Sequence, residues 1–290
     1  MSKIENSLSI HTRSEVVKPH VLDFSRRPLI MGILNVTPDS FSDGGMYNET
    51  EKAIKRALTM IDEGADIIDI GGESTRPGAG TVTAQQELDR VLPVIELLAG
   101  EIDIPISIDT RKAEVADAAC RAGATIINDI SGLAADERLA DVAADYNTYL
   151  ILMHMRGTPE TMQSLLGYDD LIGEISDFLV KAAQKAQSKG VAKDRIIIDP
   201  GIGFAKSVDD NFRIIKHIPE LIKLGYPVLI GASRKSFIGK TLDLPADDRL
   251  EGSLAAAVSA MIRGASILRV HDVLSTARAI AIAARIEEAE

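Results

Sequence analysis

The chain has 290 residues, of which 46% are hydrophobic, and a formal net charge of -11. This length and apolar content suffice for one large core, and no run of Lys and Arg supplies the basic face of a nucleic-acid-binding protein. The single cysteine, Cys120, excludes a disulfide framework and is expected to be a small buried residue of a helix. Residues 1–27 lack the apolar segment of a signal peptide, and the most apolar run, 254–270, contains Arg263. We therefore expect a soluble, cytoplasmic protein.

Short apolar runs alternate with stretches of helical periodicity along most of the chain. Strands are predicted at residues 29–36, 66–71, 104–109, 125–129, 148–154, 195–199, 227–231 and 266–270. Helices are predicted to follow them at residues 50–64, 83–99, 112–122, 136–146, 169–189, 207–224, 249–263 and 274–289. Eight strands alternating with eight helices predict an α/β fold, a (β/α)8 TIM barrel.

The predicted strands are continuously apolar, as expected when both faces of a parallel sheet are covered. A doubly wound open sheet would show the same alternation, but polar residues here follow nearly every strand and not only one switch point. Left-handed helix ends are expected at Gly64, Gly123, Gly190 and Gly225. Residues 1–28 precede the alternation and are expected to form an N-terminal extension, either a hairpin or a cover over the barrel bottom, so that the barrel domain comprises residues 29–290.

The segment after the first predicted strand, NVTPDSFSDGG (35–45), is polar and rich in glycine. Such a segment at the carboxyl end of a buried strand is where parallel α/β folds carry out their chemistry. The carboxamide oxygen of Asn35 could bind a hard cation such as Mg2+, which is often held by few protein ligands and by phosphate oxygens. Asn35 could equally cap the turn that follows it, and the spacing does not distinguish these two possibilities.

The second predicted strand ends in GGESTRPG (71–78), where glycines allow a ligand to approach the backbone and Arg76 is a fixed cation suited to phosphate. The alternative is an ordinary turn with a solvated arginine. Asp109, Asn128 and Asp199 end three other predicted strands. A buried carboxylate needs hydrogen-bond donors, so this set favours a ligand with several N–H groups on one flat edge, such as a guanine or a pterin.

Basic residues follow the last two predicted strands. Lys235 could reach a carbonyl or ring nitrogen of the ligand, and residues 236–239 could begin a short helix. Arg269 and His271 are two residues apart and should project to the same side, which predicts an anion site in the region where barrels commonly bind phosphate. After the fifth strand, Met153 could form a pocket wall or fill the core.

At this point the chain resembles the bacterial dihydropteroate synthases, a family of pterin-binding TIM barrels. The resemblance rests on NVTPDSFSDGG (35–45), DIGGESTRPGA (69–79), SIDTR (107–111), NDISG (128–132), MHMRGTP (153–159), DPGIGF (199–204), GASRKSFIG (231–239) and RVHDV (269–273). These segments occur in order at all eight predicted strand ends, and the resemblance extends from about residue 29 to the C-terminus. No departure falls on a residue that the family uses for catalysis or binding.

The resemblance implies a transferase of folate biosynthesis. It would join 4-aminobenzoate to (7,8-dihydropterin-6-yl)methyl diphosphate, releasing 7,8-dihydropteroate and diphosphate. The implied pterin pocket comprises Asp109, Asn128, Met153, Asp199 and Lys235, with Arg269 stacked over the ring. The implied diphosphate site comprises Asn35, acting through Mg2+, with Thr75, Arg76, Arg269 and His271. The implied 4-aminobenzoate pocket comprises Thr75, Pro77, Phe204, Lys235 and Ser236, with Phe41 closing over it.

Asp109, Lys235, Arg269 and His271 are the residues expected to act in catalysis. Departure of diphosphate would leave a pterin-stabilised cation, which Asp109 would stabilise and the arylamine would attack. The resemblance also suggests a homodimer formed through the late helices, whose Ala/Ile-rich surface would include Ala277, Ile280 and Ala283.

Three other functions fit parts of the pattern. A methyltetrahydrofolate:corrinoid methyltransferase would share the pterin pocket but would not need the diphosphate site. A non-catalytic pterin-binding protein would have lost residues of the closing loops or the Mg2+ ligand. A phosphosugar isomerase or aldolase could use the same barrel, with Lys235 forming a Schiff base.

Overall fold

The computed structural model describes residues 20–37, 46–74, 82–159 and 161–289, and for residues 46–48 and 163 the backbone only. Within these residues the chain forms one parallel eight-stranded sheet. Its strands are β1 Leu29–Asn35, β2 Ile67–Gly71, β3 Ile106–Asp109, β4 Ile126–Asp129, β5 Tyr149–Met153, β6 Ile196–Asp199, β7 Leu229–Ile230 and β8 Ile267–Val270. Every predicted strand is present, with bounds that agree to within a few residues.

The sheet closes on itself to form the predicted TIM barrel. The strand order is β6-β5-β4-β3-β2-β1-β8-β7, and a parallel bridge between Ile198 and Val228 joins the two ends. The backbone N–H of Ile198 donates to the carbonyl of Pro227 over 2.9 Å at this junction. Because all strands are parallel, their carboxyl ends meet at one rim, which is the end of the barrel where chemistry is expected.

Helices alternate with the strands on the outside of the barrel. They are α1 Met46–Asp62, α2 Ala84–Glu101, α3 Ala113–Ala122, α4 Arg138–Asp145, α5 Leu171–Ser188, α6 Val208–Lys216, α7 Ile218–Ile222, α8 Ser236–Leu242, α9 Leu250–Ile262 and α10 Val273–Glu287, with short 3-10 turns at Met162–Ser164 and Lys193–Arg195. The glycines expected at left-handed helix ends all have positive φ, namely Gly64, Gly123, Gly190 and Gly225.

One predicted helix is two helices in the structure. The periodicity over residues 207–224 predicted a continuous helix, but α6 ends at Lys216 and α7 begins at Ile218. The cause is Pro219, which lies in the first turn of α7. Proline has no N–H to donate within a helix and its ring collides with the preceding turn. The short helix anticipated after β7 is α8.

Two apolar layers surround the strands. Alternate residues point outward and pack against the helices, including Ile68 and Ile70 of β2 and Leu268 of β8. The others point into the barrel, where Ile67 and Ile267 belong to an inner cluster. Both faces of the sheet are therefore covered, as the continuously apolar strands predicted. Cys120 is buried in the outer layer, as expected from the sequence.

The segment 20–28 lies against the bottom of the barrel. Leu22 packs into the inner cluster, and its backbone N–H donates to the hydroxyl of Tyr149 over 3.1 Å. Arg27 forms an ion pair with Asp66, which precedes β2, at 2.7 Å. The predicted hairpin would involve residues outside the described ranges, and the division into an extension and a barrel domain at residue 29 stays a prediction.

The C-terminal helix corrects one expectation about the surface. Ile280 and Ala283 are buried and Ala277 packs against the same core, so these residues face the barrel and not the solvent. Helix α10 packs against β1 and α9, and its Ala/Ile stripe faces this side. None of the helices in the described part of the chain is long and apolar enough to cross a membrane.

Candidate active site

Polar side chains occupy the inner face of the barrel near its carboxyl-terminal rim. Because side chains alternate along a strand, Asp69 points inward like Ile67, two residues earlier in β2, and Arg269 points inward like Ile267 in β8. The same alternation brings predicted site residues from most of the other strands to this face, namely Asn35, Asp109, Asn128, Met153 and Asp199. Residues predicted from separate strand ends therefore share one cavity mouth.

Arg269 lies at the centre of the polar group. Its Nε donates to Oδ2 of Asp69 and its Nη2 donates to Oδ2 of Asp109, each over 2.6 Å. Burial alone would lower the pKa of Arg269, but the two carboxylates outweigh this effect and the pKa is raised. Arg269 is therefore a permanent cation, held on two sides at the rim.

Asp109 and the predicted metal ligand, Asn35, both lie next to Gly71. A Cβ built on Gly71 would be 3.5 Å from Cβ of Asp109 and 3.9 Å from Oδ1 of Asn35, so the missing side chain of this glycine keeps the space between them open. Burial raises the pKa of Asp109 to about 7, opposed by Arg269 and reinforced by Asp69. Asp109 is thus a carboxylate whose charge depends on its partners near neutral pH.

Asp199 occupies the end of β6. Its Oδ1 accepts from the backbone N–H of Gly201 over 2.7 Å, and Gly201 has a φ of +74°. Burial raises the pKa of Asp199 to about 6, against the opposing effects of this N–H, of Lys235 and of Lys206. Like Asp109, Asp199 is a buried acceptor that would gain from a ligand's N–H groups.

Lys235 precedes α8 and reaches back toward the segment after β6. Its Nζ lies 4.1 Å from the centroid of the Phe204 ring, and its Cδ would lie 2.9 Å from a Cβ on Gly203. Burial and the neighbouring Arg269 lower the pKa of Lys235 to about 8. Ser236, the next residue, is exposed as the first residue of α8.

His271 follows β8, and its Nδ1 lies 3.1 Å from Oγ of Ser233. The pKa of His271 is lowered to about 3, mainly by burial and secondly by the positive charge of Arg269. The sequence predicted an anion site formed by Arg269 and His271. In the structure the imidazole is neutral, so it can serve an anion as a hydrogen-bond donor while Arg269 carries the charge.

Met153 and Phe204 form an apolar wall of the mouth. Both are buried in a small cluster with Ile130, Met155 and Met162. Asn128 lies on the polar side, where its Nδ2 donates to Oδ2 of Asp69 over 3.1 Å. Of the other predicted site residues, Phe41, Thr75, Arg76 and Pro77 lie outside the described residues. In the described ranges, no group of three or more His, Cys, Asp or Glu residues is placed to hold a metal.

Two parts of this site were not anticipated from the sequence. Asp69 is fully buried and binds both Arg269 and Asn128, yet the sequence indicates only that it belongs to the second strand and to the motif 69–79. Lys206 is also buried, and its Nζ contacts His154. For Asp69 the available signal was its position two residues before Gly71, which places it on the inner face. For Lys206 no sequence signal indicates burial.

Comparison with known proteins agrees with the site. The sequence profile of the pterin binding enzyme family matches residues 31–271. The dihydropteroate synthase of Synechocystis sp. is 51% identical over 264 residues, which are 91% of this chain and 91% of that protein.

Solved structures resemble the whole barrel. Dihydropteroate synthase of Clostridium difficile, solved in the presence of pteroic acid, has a TM-score of 0.87 and 46% identity, covering 93% of this chain and 100% of that one. Dihydropteroate synthase of Xanthomonas albilineans with 4-aminobenzoic acid has a TM-score of 0.86 and 45% identity, covering 91% and 94%. These relatives favour that activity over a corrinoid methyltransferase, a non-catalytic binding protein or an aldolase. The chain belongs to the dihydropteroate synthase family of pterin-binding enzymes.

Proposed function

We propose that the chain condenses 4-aminobenzoate with (7,8-dihydropterin-6-yl)methyl diphosphate, yielding 7,8-dihydropteroate and diphosphate for folate biosynthesis. The observation that carries this proposal is the convergence of Asp109, Asn128 and Asp199 on one inner face of the barrel mouth, in a member of this family. Two acceptors with raised pKa values and a nearby amide are complementary to the donor-rich edge of a 2-amino-4-oxo ring.

The pterin ring would lie between the polar group and the apolar wall. Asp109 and Asp199 accept from ring N–H groups, Asn128 adds an amide, and Met153 packs against the ring. Arg269 stacks over the opposite face, since a planar guanidinium packs well on an aromatic ring. Lys235 donates to the carbonyl or a ring nitrogen.

4-Aminobenzoate would bind where Lys235 lies over Phe204. The aromatic ring of Phe204 contacts the substrate ring, and Lys235 and Ser236 form the polar boundary of the pocket. Thr75 and Pro77 complete this pocket and Phe41 closes over it in the proposal. In this proposal the amine of 4-aminobenzoate would lie next to the pterin methylene carbon, and this orientation would favour the reaction.

The reaction we propose is a displacement through a cation. The bond between the methylene carbon and the diphosphate oxygen breaks, and both electrons leave with diphosphate. The positive charge left on the carbon is shared with the pterin ring and stabilised by Asp109. The amine nitrogen then donates its lone pair to this carbon and gives up one N–H proton to solvent water. No protein nucleophile is needed.

The diphosphate would be bound by Arg269 and His271, with Arg76 as an additional cation. Asn35 fits a ligand for Mg2+, because its Oδ1 lies at the rim next to the space left open by Gly71, and one protein oxygen with substrate phosphates is a common way to hold this ion. Bound there, Mg2+ would neutralise charge on the departing diphosphate.

The test is release of diphosphate from the pterin substrate. We expect release to require Mg2+, and 7,8-dihydropteroate to form only when 4-aminobenzoate is present. The Asp109→Asn variant should lose at least about 100-fold in rate, whereas Asp141→Asn, on the solvent-exposed side of α4, should match the unmodified protein. Equal turnover by Asp109→Asn would rule out the role assigned to Asp109, and no diphosphate release by the unmodified protein would rule out the reaction.

We also propose that the chain works as a homodimer in the cytoplasm. An apolar groove of about 410 Å3 lies between α6, α8 and α9 and is lined by Phe212, Ile238 and Leu242. Phe212 is 44% exposed and Leu242 is 50% exposed, and together in one groove they form a contiguous apolar patch of the kind that marks interaction sites. A second copy of the chain would cover this groove, and Phe212→Asp should then give a monomer in light scattering. The reduced thiol of Cys120 fits the cytoplasm.

A further inference from the structure

Asp69 is a fully buried acidic residue of the barrel mouth, and the proposed reaction gives it no direct part. Its side chain is 0% exposed. Its Oδ2 atom accepts hydrogen bonds. Its Oδ1 atom makes none within the described ranges. Burial of a carboxylate is unfavourable unless its charge is compensated, so Asp69 depends on what Oδ2 binds.

The Oδ2 atom of Asp69 holds two predicted pterin-binding side chains together. It accepts from Nε of Arg269 over 2.6 Å and from Nδ2 of Asn128 over 3.1 Å. The three residues come from β2, β8 and β4, which are not adjacent to one another in the barrel. Asp69 thereby links three strands across the inner face.

Arg269 uses different nitrogen atoms for its two carboxylates. Nε binds Asp69, while Nη2 binds Asp109. Asp109 is also the acceptor proposed for the pterin N–H groups, so an arriving ring competes with Nη2 for the same carboxylate. The bond from Nε to Asp69 involves neither the competing atom nor the competing carboxylate. It can therefore persist when the ring displaces the end of the guanidinium.

We infer that Asp69 is a positioning residue, which holds Arg269 by Nε and fixes the amide of Asn128 while the pterin ring replaces Nη2 on Asp109. Asp69 itself does not contact the substrate in this arrangement. This inference rests on the proposed function, because it assumes that Asp109 accepts from a pterin. It assigns Arg269 two successive roles. Before the pterin binds, Arg269 is the partner of Asp109, and after binding it is the cation over the ring.

The same arrangement affects the charge of Asp109. The charged groups that act on Asp109 are Arg269, Asp69, Glu87 and Asp129, and Asp109 in turn acts on Lys235. Arg269 is shared between Asp69 and Asp109. Without the charge of Asp69, Arg269 would act on Asp109 alone and ionised Asp109 would be favoured at a lower pH.

The test compares Asp69→Asn with Ser107→Ala. Ser107 is paired with Asp69 across β2 and β3 and is equally buried, with a hydroxyl that has no partner in the described ranges. We expect Asp69→Asn to weaken binding of the pterin diphosphate at least about tenfold, the value of one charge-assisted hydrogen bond, and to change the KM for 4-aminobenzoate by less than about threefold. The acid limb of its kcat/KM profile should move to lower pH. Ser107→Ala should leave all three quantities near those of the unmodified protein.

If Asp69 had only a structural role, Asp69→Asn would lower the melting temperature but would affect pterin diphosphate binding and the KM for 4-aminobenzoate to the same extent. It would also leave the pH profile of kcat/KM in place. That outcome would overturn the inference. If Asp69→Asn does not fold, 15N NMR of Arg269 Nε in the unmodified protein gives the same answer. Slow exchange of this N–H with water in both the free and the pterin-diphosphate-bound protein is expected, and loss of protection on binding would overturn the inference. Failure of the proposed function would be recognised separately, because the unmodified protein itself would then not release diphosphate.

Discussion

The ammonium group of Lys206 lies 2.9 Å from Nδ1 of His154, and both side chains are buried beside the segment that follows β6. Lys206 Nζ also donates to the carbonyl oxygens of Phe204 at 2.9 Å and of His154 at 3.3 Å. Burial lowers the pKa of Lys206 to about 7. Burial is the main cause, and Lys206 the second, of a His154 pKa lowered to about 2, so the ring is neutral. Nδ1 accepts from Lys206 in the tautomer that carries its proton on Nε2.

This contact ties the end of β5 to the segment after β6, since the N–H of His154 also donates to the carbonyl of Asp199 over 2.9 Å. We therefore predict that Lys206→Met lowers kcat/KM for both substrates by about tenfold, because Asp199 and Phe204 both lose a fixed position. Lys189→Met, which removes a surface lysine bonded to Asp141, is the matched control. Steady-state kinetics at pH 7.5 would measure kcat/KM for both variants. Equal kcat/KM values for Lys206→Met and Lys189→Met would contradict the positioning role of Lys206.

Gly201 should be the least replaceable glycine of this segment. A Cβ there would lie 2.0 Å from the carbonyl oxygen of His154, and the φ of +74° is unfavourable for other residues. We predict that Gly201→Ala lowers the free energy of unfolding by about 2 kcal/mol or more. Gly100→Ala is the control, because no atom lies within 4 Å of its Cβ position in α2, and it should stabilise the chain by at most about 1 kcal/mol. Urea unfolding of both variants provides the measurement.

The pH dependence of the reaction should reflect the buried carboxylates. Both must be ionised to accept from the pterin, and in the free protein the pKa of Asp109 is raised to about 7 and that of Asp199 to about 6. We predict that kcat/KM for the pterin substrate falls as pH decreases below about 7, and more steeply below about 6. The profile of kcat should fall at lower pH, because bound substrate favours the ionised forms. A kcat/KM that stays constant down to pH 5 would contradict this assignment.

The same pKa shift predicts a conflict between stability and activity at Asp199. Its raised pKa means that the folded state holds the proton more tightly than the unfolded chain. Its contribution to stability is therefore complete below about pH 4 and is lost as pH rises through about 6.

Asp199→Asn keeps the shape and the acceptor for Gly201 but removes the charge. At pH 8 we expect it to raise the free energy of unfolding by about 1 to 3 kcal/mol and to abolish turnover. At pH 4 the stability gain should vanish. Melting temperatures of the ligand-free protein at both pH values test this, with Asp141→Asn as the surface control. A variant that is less stable at pH 8 would show that hydrogen bonds of the carboxylate outweigh the cost of burying it.

The fold could be predicted because its signals are local. Apolar strands separated by helical periodicity indicate a barrel without any knowledge of contacts. The one break that was missed, at Pro219, is also a local signal, but the apolar periodicity continues through it. Likewise, the spacing of Ala277, Ile280 and Ala283 identified an apolar stripe correctly but could not tell which side of α10 faces the barrel.

The site could be predicted only where polar residues end a strand. Asp69 lies within an apolar run, and its partner Arg269 is 200 residues away in sequence, so nothing nearby indicates its bond. The charge of His271 could not be read from the sequence either. Its neutrality comes from burial and from Arg269, both of which exist only in the folded chain.

The rim position of Asn35 leads to a prediction about metal dependence. If its carboxamide oxygen binds Mg2+ together with the diphosphate, Asn35→Ala should raise the Mg2+ concentration needed for half-maximal activity by about tenfold or more. Binding of a pterin that lacks the diphosphate should not change, because Asn35 then has no part in recognition. Asn35→Asp, which offers a charged oxygen at the same place, should retain a lower Mg2+ requirement than Asn35→Ala. Calorimetry of both ligands with and without Mg2+ separates these effects. An equal loss of affinity for both ligands would indicate that Asn35 shapes the loop after β1 and does not bind the metal.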